Sequence, residues 1–171
     1  MSDNPQTLNR VSLEVLYKEL EKSLFNVAFR YLWCREEAQD LVQEAFLKLW
    51  KIRSRVEMVT VKPLIFKICI NLAASRIKRK KIATFFSLDK IDREPLGNNN
   101  DSFERKEEVL LLKKVINGLP SKLKETVLLT EFSDMTYEEI GKSLGVPAGT
   151  VGSRRNKAIG IMKEKIKKIY G

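Results

Sequence analysis

Sixteen residues in mid-chain, Ser87 to Ser102 (SLDKIDREPLGNNNDS), constrain the architecture more than any other stretch. They hold Pro95, Gly97 and consecutive asparagines, with few apolar side chains. Such a segment buries too little surface to offset the entropy of ordering it, so it reads as a flexible linker. The 171-residue chain is thereby expected to divide into a domain at 1–86, a linker at 87–102 and a domain at 103–171. Each part has to close a core of its own.

The periods on either side of the linker are helical. Leu13, Leu16, Tyr17, Leu20, Leu24, Val27, Ala28 and Tyr31 form one stripe, with Ser12 as a candidate cap. Ala38, Leu41, Val42, Ala45, Phe46, Leu49 and Ile52 form a second. Arg53 to Lys62 loses the period and reads as a loop, and Pro63 suits the first turn of a third helix carrying Ile65, Phe66, Cys69, Leu72 and Ala73. Past the linker, a helix near Glu104 is expected to stop at a left-handed Gly118, and Pro120-Ser121 opens another that reaches Phe132. Thr136 with Glu139 spells a capping box, Gly145 a stop, and a final helix starts near Ala148. No strand period appears, so the fold class is all-α: two small helical domains joined by a linker.

Charge narrows the partners. Lys and Arg total 32 against 22 Asp and Glu, a net charge of +10. The excess is clustered: six basic residues and no acid lie between Lys67 and Lys81, and seven against the single Glu164 between Arg154 and Lys168. Two basic helix segments in two domains suit two contacts on one polyanion. The chain has no His, which excludes Ser-His-Asp and Cys-His catalysis and every His-ligated metal. Cys34 and Cys69 are too few and too far apart for a zinc cluster, and both are expected to be buried thiols. No catalytic residue, metal or cofactor is expected. The start, MSDNPQTLNR, lacks the apolar core of a signal peptide. Lys62 and Lys67 interrupt the most apolar stretch, so no membrane insertion is expected and the protein reads as cytoplasmic.

Two segments carry a functional signature. Met135 to Ala158 (MTYEEIGKSLGVPAGTVGSRRNKA) combines a capped short helix, a turn at Leu144-Gly145-Val146 and a second helix with a basic face. That is the pattern of a helix-turn-helix, whose second helix enters the major groove with early residues at base edges and Arg or Lys at phosphates. On the second helix of the chain, Asp40, Gln43, Glu44 and Leu47 fall at i, i+3, i+4 and i+7, apart from the core stripe. From these residues alone, a protein-docking face and a solvated helix face both remain open. Asp40 and Glu44 are too few ligands to define a divalent-metal site.

The stretch AQDLVQEAFLKLW, then PLIFKICINLAASRIKRKK, a linker, and LPSKLKETVLLTEFSDMTYEEIGKSLGVPAGTVGSRRNKA resembles a bacterial RNA polymerase sigma factor. The two-domain layout is similar to the small extracytoplasmic-function class, group four, over Leu24 to Lys165. The resemblance implies that Asp40, Gln43, Glu44 and Leu47 dock on the β′ clamp of core RNA polymerase, with a further contact to the β flap. It implies that Asn71, Arg76, Lys78, Arg79 and Lys80 handle the −10 promoter element and help to separate its strands. Thr150, Ser153, Arg154, Arg155 and Lys157 then read the −35 element. An anti-sigma factor is among the partners the resemblance allows. Leu64, Ser75, Gly152 and Asn156 depart from residues common in the family, and Gly152 removes a frequent basic contact. A stand-alone helix-turn-helix regulator would leave the Asp40–Glu44 stripe unexplained, and a metal-dependent nuclease lacks a convergent carboxylate set.

Overall fold

The computed structural model describes residues 7–86 and 103–171; the expected linker, Ser87 to Ser102, lies outside the described residues. Seven α-helices are described: α1 (Arg10–Leu32), α2 (Arg35–Lys51), α3 (Val61–Phe86), α4 (Phe103–Asn117), α5 (Ser121–Phe132), α6 (Tyr137–Leu144) and α7 (Ala148–Tyr170). Among the described residues there is no strand, and one isolated antiparallel bridge joins Thr7 to Glu57. The chain forms two compact units, Met1–Glu94 and Pro95–Gly171.

In the first unit α1, α2 and α3 pack on one another. Leu24, Val27 and Ala28 of α1, Leu41, Ala45 and Leu49 of α2, and Ile65, Phe66 and Cys69 of α3 are buried at its centre. The cap of α1 is Asn9 rather than Ser12. The Asn9 side-chain oxygen accepts from the Ser12 N–H at 2.8 Å and the Ser12 hydroxyl accepts from the Asn9 N–H at 2.9 Å, so Ser12 holds the reciprocal place. Buried Trp33 ends α1 in the left-handed conformation at φ 56°, a turn tight enough for α2 to start at Arg35. Cys34 caps α2 and is only half-buried, which corrects the expectation of two buried thiols; Cys69 alone is fully buried. Two 3₁₀ turns, Arg53–Arg55 and Met58–Thr60, occupy most of the expected loop.

Met58–Phe86 is, by length and composition, apolar enough to cross a bilayer, against the expectation from its lysines. Its apolar residues from Val61 to Ala73 face α1 and α2, as in the core helix of a bundle. Its last turns carry Lys78, Arg79, Lys80 and Lys81, all exposed.

In the second unit Leu123, Val127, Leu128 and Leu129 of α5 are buried; α4, α5 and α6 each pack on α7, and α5 also packs on α6. The capping box of α6 is present: the Thr136 N–H donates to the Glu139 carboxylate at 2.8 Å and the Glu139 N–H to the Thr136 hydroxyl at 3.2 Å. Gly145 ends α6 at φ +68°. Gly118 does not adopt the expected left-handed conformation. The Lys165 ammonium donates to the Gly118 carbonyl at 2.6 Å; a Cβ at Gly118 would meet that ammonium, which as the end of a flexible exposed side chain can move aside.

Candidate functional site

Each unit presents a polar helix face built by the packing of the opposite face. On α2, burial of Leu41, Val42, Ala45, Phe46 and Leu49 turns Asp40, Gln43 and Leu47 to solvent. Leu47 is 62% exposed, a large apolar side chain one turn after Gln43 and Glu44 and one turn before exposed Lys51. Beside Gln43 a groove of about 620 Å³ opens between α1 and α2, lined by Tyr17, Phe25, Val42 and Gln43 among others. Burial, then the neighbouring Glu21, raise the Tyr17 phenol above its ordinary pKa, so it remains a hydrogen-bond donor on the groove wall.

Glu44 closes the other flank of this face, and its partner is on α3. The Arg76 guanidinium donates to a Glu44 carboxylate oxygen at 2.8 Å and to the Glu37 carbonyl at 2.9 Å. One turn further on, the Lys80 ammonium meets the Glu37 carboxylate at 2.6 Å. Arg76 and Lys80 lie on the side of α3 that packs on α2. The five expected −10 residues therefore divide: Arg76 and Lys80 are tied to α2, while Asn71, Lys78 and Arg79 stay exposed. At 3.6 residues per turn, Lys67, Asn71, Ser75 and Lys78 share one face, and all four are exposed. The spacing that selects Lys67 and Ser75 is visible in the sequence; the ion pairs are not.

In the second unit, burial of Val151 and Ala158 turns the opposite face of α7 outward. Ser153 and Lys157 are exposed on that face, and half-buried Thr150 and Arg154 flank it nearer the buried stripe, with the Ser153 hydroxyl donating to its own helix at the Thr150 carbonyl, 3.1 Å away. Arg155 points elsewhere. Its Nε donates to the Glu131 carboxylate of α5 at 2.6 Å, and this bond, aided by Tyr137, raises its pKa further. Gly152 lies against Tyr137: a Cβ there would come within 3.4 Å of the ring. The half-exposed Tyr137 ring therefore flanks α7 at Gly152, a neighbour that sequence reasoning missed.

Gly141 is a second residue that periodicity passed over. A Cβ on it would lie 2.5 Å from the Val146 carbonyl oxygen, so the close approach of α6 to the turn before α7 needs glycine. That turn sets the angle at which α7 offers its face.

With this geometry in hand, two family models match the chain. The model described as Sigma-70 region 2 matches residues 16–82, and Sigma-70, region 4 matches residues 110–160. The chain is 27% identical over 146 residues to the ECF RNA polymerase sigma factor SigE of Mycolicibacterium smegmatis, covering 84% of this chain and 57% of that protein. It is 28% identical over 152 residues to the RNA polymerase sigma factor SigV of Bacillus subtilis, covering 86% and 87%. Among solved structures, the fold is similar to the sigma factor RpoE of Bartonella quintana, solved with the anti-sigma factor NepR. There the TM-score is 0.66 at 21% identity, over 90% of this chain and 96% of that one. CnrH, solved with the cytosolic domain of CnrY, gives a TM-score of 0.68 at 15% identity, over 94% and 90%.

Proposed function

Since the chain belongs to the sigma-70 family, as a sigma factor of the extracytoplasmic-function class, we propose how its two units divide the work of promoter-specific transcription initiation. The domain at 1–86 docks on core RNA polymerase through the α2 face and engages the −10 element through α3. The domain at 103–171 reads the −35 element with α7, and residues 87–102 connect them. The protein supplies binding and positioning only; the polymerase performs the catalytic step. It acts in the cytoplasm, where polymerase and promoter meet.

The docking face is assigned to Asp40, Gln43 and Leu47, with Glu44 on its flank; the β′ clamp is the partner surface and the β flap a further contact. An exposed apolar side chain between polar ones suits a protein partner that desolvates the leucine and pairs the acid. On α3, Asn71 offers an amide that both donates and accepts, suited to the Watson–Crick edge of a base that is no longer paired. Lys78 and Arg79 hold phosphates, and Arg76 and Lys80 lock α3 to α2. On α7, Arg154 is placed to fork onto a base edge or a phosphate, with Thr150, Ser153 and Lys157 around it, while Arg155 braces the helix on α5. One solved structure of similar fold was captured with an anti-sigma factor; a regulator of that kind, acting by masking these faces, completes the proposal.

The observation that carries the reading is Leu47, 62% exposed on an acidic helix face away from the core. The triple variant Asp40→Ala, Gln43→Ala, Leu47→Ala is expected to melt as wild type. It should bind core polymerase at least about 30-fold more weakly, the loss of about 2 kcal/mol at an interface centre. Wild-type competition for core polymerase by the folded variant refutes the assignment of this face.

A further inference from the structure

Helix α3 does not end where its basic residues end. It runs on to Phe86, and Ile82, Phe85 and Phe86 are 49%, 83% and 81% exposed. The two rings meet edge to face at a centroid distance of 5.4 Å. Helical geometry places these residues on a particular face. Phe85 lies 18 residues after Lys67, five full turns, and Ile82 falls between Lys78 and Phe85 on the same stripe.

We propose that Lys67, Asn71, Ser75, Lys78, Ile82 and Phe85 form one continuous track for an unpaired DNA strand, on which the Phe85 ring stacks a base beyond the one held at Asn71. This rests on the reading of α3 as the −10 helix and extends it by an aromatic site about 21 Å further along the helix axis.

Two observations select the occupant. From Lys67 to Phe86 the helix carries no acidic residue, so a patch of exposed rings is embedded in positive charge. Arg76 and Lys80 are neutralised by Glu44 and Glu37 on the opposite side, which leaves the net positive charge of α3 on the side of the track. An anionic partner is therefore required, and it has to offer flat apolar faces to the rings. Duplex DNA supplies phosphates but hides its base faces in the stack. An unpaired strand offers phosphates and free base faces together, and a basic groove with aromatic platforms is how such strands are held. An unstacked strand spaces its nucleotides more widely than the 3.4 Å of duplex DNA, so the track from Asn71 to Phe85 covers at most about six nucleotides.

Phe85→Ala, Phe85→Leu and Phe85→Trp in the full chain, assembled with core RNA polymerase, test this. The probes are a dye-labelled single-stranded DNA oligonucleotide carrying the non-template sequence of a promoter that this holoenzyme transcribes, and the same sequence as a duplex. Phe85→Ala should bind the single strand on the order of tenfold more weakly, the loss of one stacked base. Duplex binding and the melting temperature should stay unchanged; Phe85→Trp should restore single-strand affinity and Phe85→Leu should not. Wild-type single-strand affinity in Phe85→Ala overturns the proposal, and so does restoration by Leu, which would mean simple apolar packing. An equal loss on the duplex overturns it in favour of a groove contact, and a lower melting temperature assigns the ring to packing within the chain. Asn71→Ala separates the two readings. If it weakens the single strand while Phe85→Ala does not, the −10 helix stands and the aromatic site falls; if neither does, both fall.

Discussion

Replacing Arg76 with Ala separates a strut from a DNA contact, because the two roles predict opposite results in two assays. In the structure the guanidinium joins α3 to α2 through hydrogen bonds of 2.9 Å to the Glu37 carbonyl and 2.8 Å to the Glu44 carboxylate. The two side chains are 20% and 40% exposed. A fully exposed ion pair is worth about 0.2–1 kcal/mol, and breaking a buried one costs about 3–5 kcal/mol. This pair lies between those cases and solvent reaches one side of it, which leaves about 1.5 kcal/mol. For a helical unit of this size each kcal/mol moves the midpoint by about 4–8 °C, so Arg76→Ala should melt the first unit roughly 6–12 °C lower. A cycle with Glu44→Gln should return a coupling energy of about 1 kcal/mol, since the two side chains share one contact. The DNA assay is the salt dependence of single-strand binding by the reconstituted holoenzyme. A phosphate contact contributes about 0.7 to the slope of log K against log salt, so a strut leaves that slope unchanged. If Arg76→Ala melts as wild type and the slope falls by about 0.7, the guanidinium serves DNA and the α2–α3 brace is wrong.

Gly145→Ala places a Cβ at φ +68° with nothing within 4 Å of it, so its cost is conformational alone, about 1–2 kcal/mol in a denaturant titration of the second unit. Gly141→Ala should cost more, because its Cβ would lie 2.5 Å from the Val146 carbonyl oxygen; equal losses would show that the turn yields freely. On a −35 duplex, Arg154→Ala should weaken binding in a sequence-dependent way and Lys157→Ala uniformly, whereas Arg155→Ala should act through stability; identical sequence profiles for all three would refute the division of α7. Burial pushes the Cys69 thiol up from 9.0 to about 12, so iodoacetamide at pH 8 should label Cys34 and spare Cys69 until the chain unfolds. The folded state holds that proton more tightly than the unfolded chain. The stability it contributes is fully present below about pH 9 and is lost as pH rises toward 12, by up to about 1.4 kcal/mol per unit.

What the amino-acid sequence determined by itself is the set of features closed within one or two helical turns. Thr136 and Glu139 are three residues apart, and their reciprocal bonds form whatever surrounds them. Gly145 tolerates its left-handed stop because it has no Cβ, and the periods of α1, α2 and α3 report which face each helix buries. The exposed faces around Asp40 and around Ser153 and Lys157 follow as complements of the buried faces of their helices. The Ser12 cap failed within this local range because a capping box can be read from either end, and Gly118 failed because it stays outside the left-handed region, with its N–H bonded to the Lys114 carbonyl at 3.2 Å. Only the tertiary structure decided which charged groups are spent inside the protein. Arg76 meets Glu44 across 32 residues, Lys80 meets Glu37 across 43 and Arg155 meets Glu131 across 24. These pairings depend on the rotation of one helix about its axis against another, which is set by how ridges of side chains interlock in the core. A run such as RIKRKK therefore looks uniform as sequence, and becomes two faces with two roles once α3 is packed on α2.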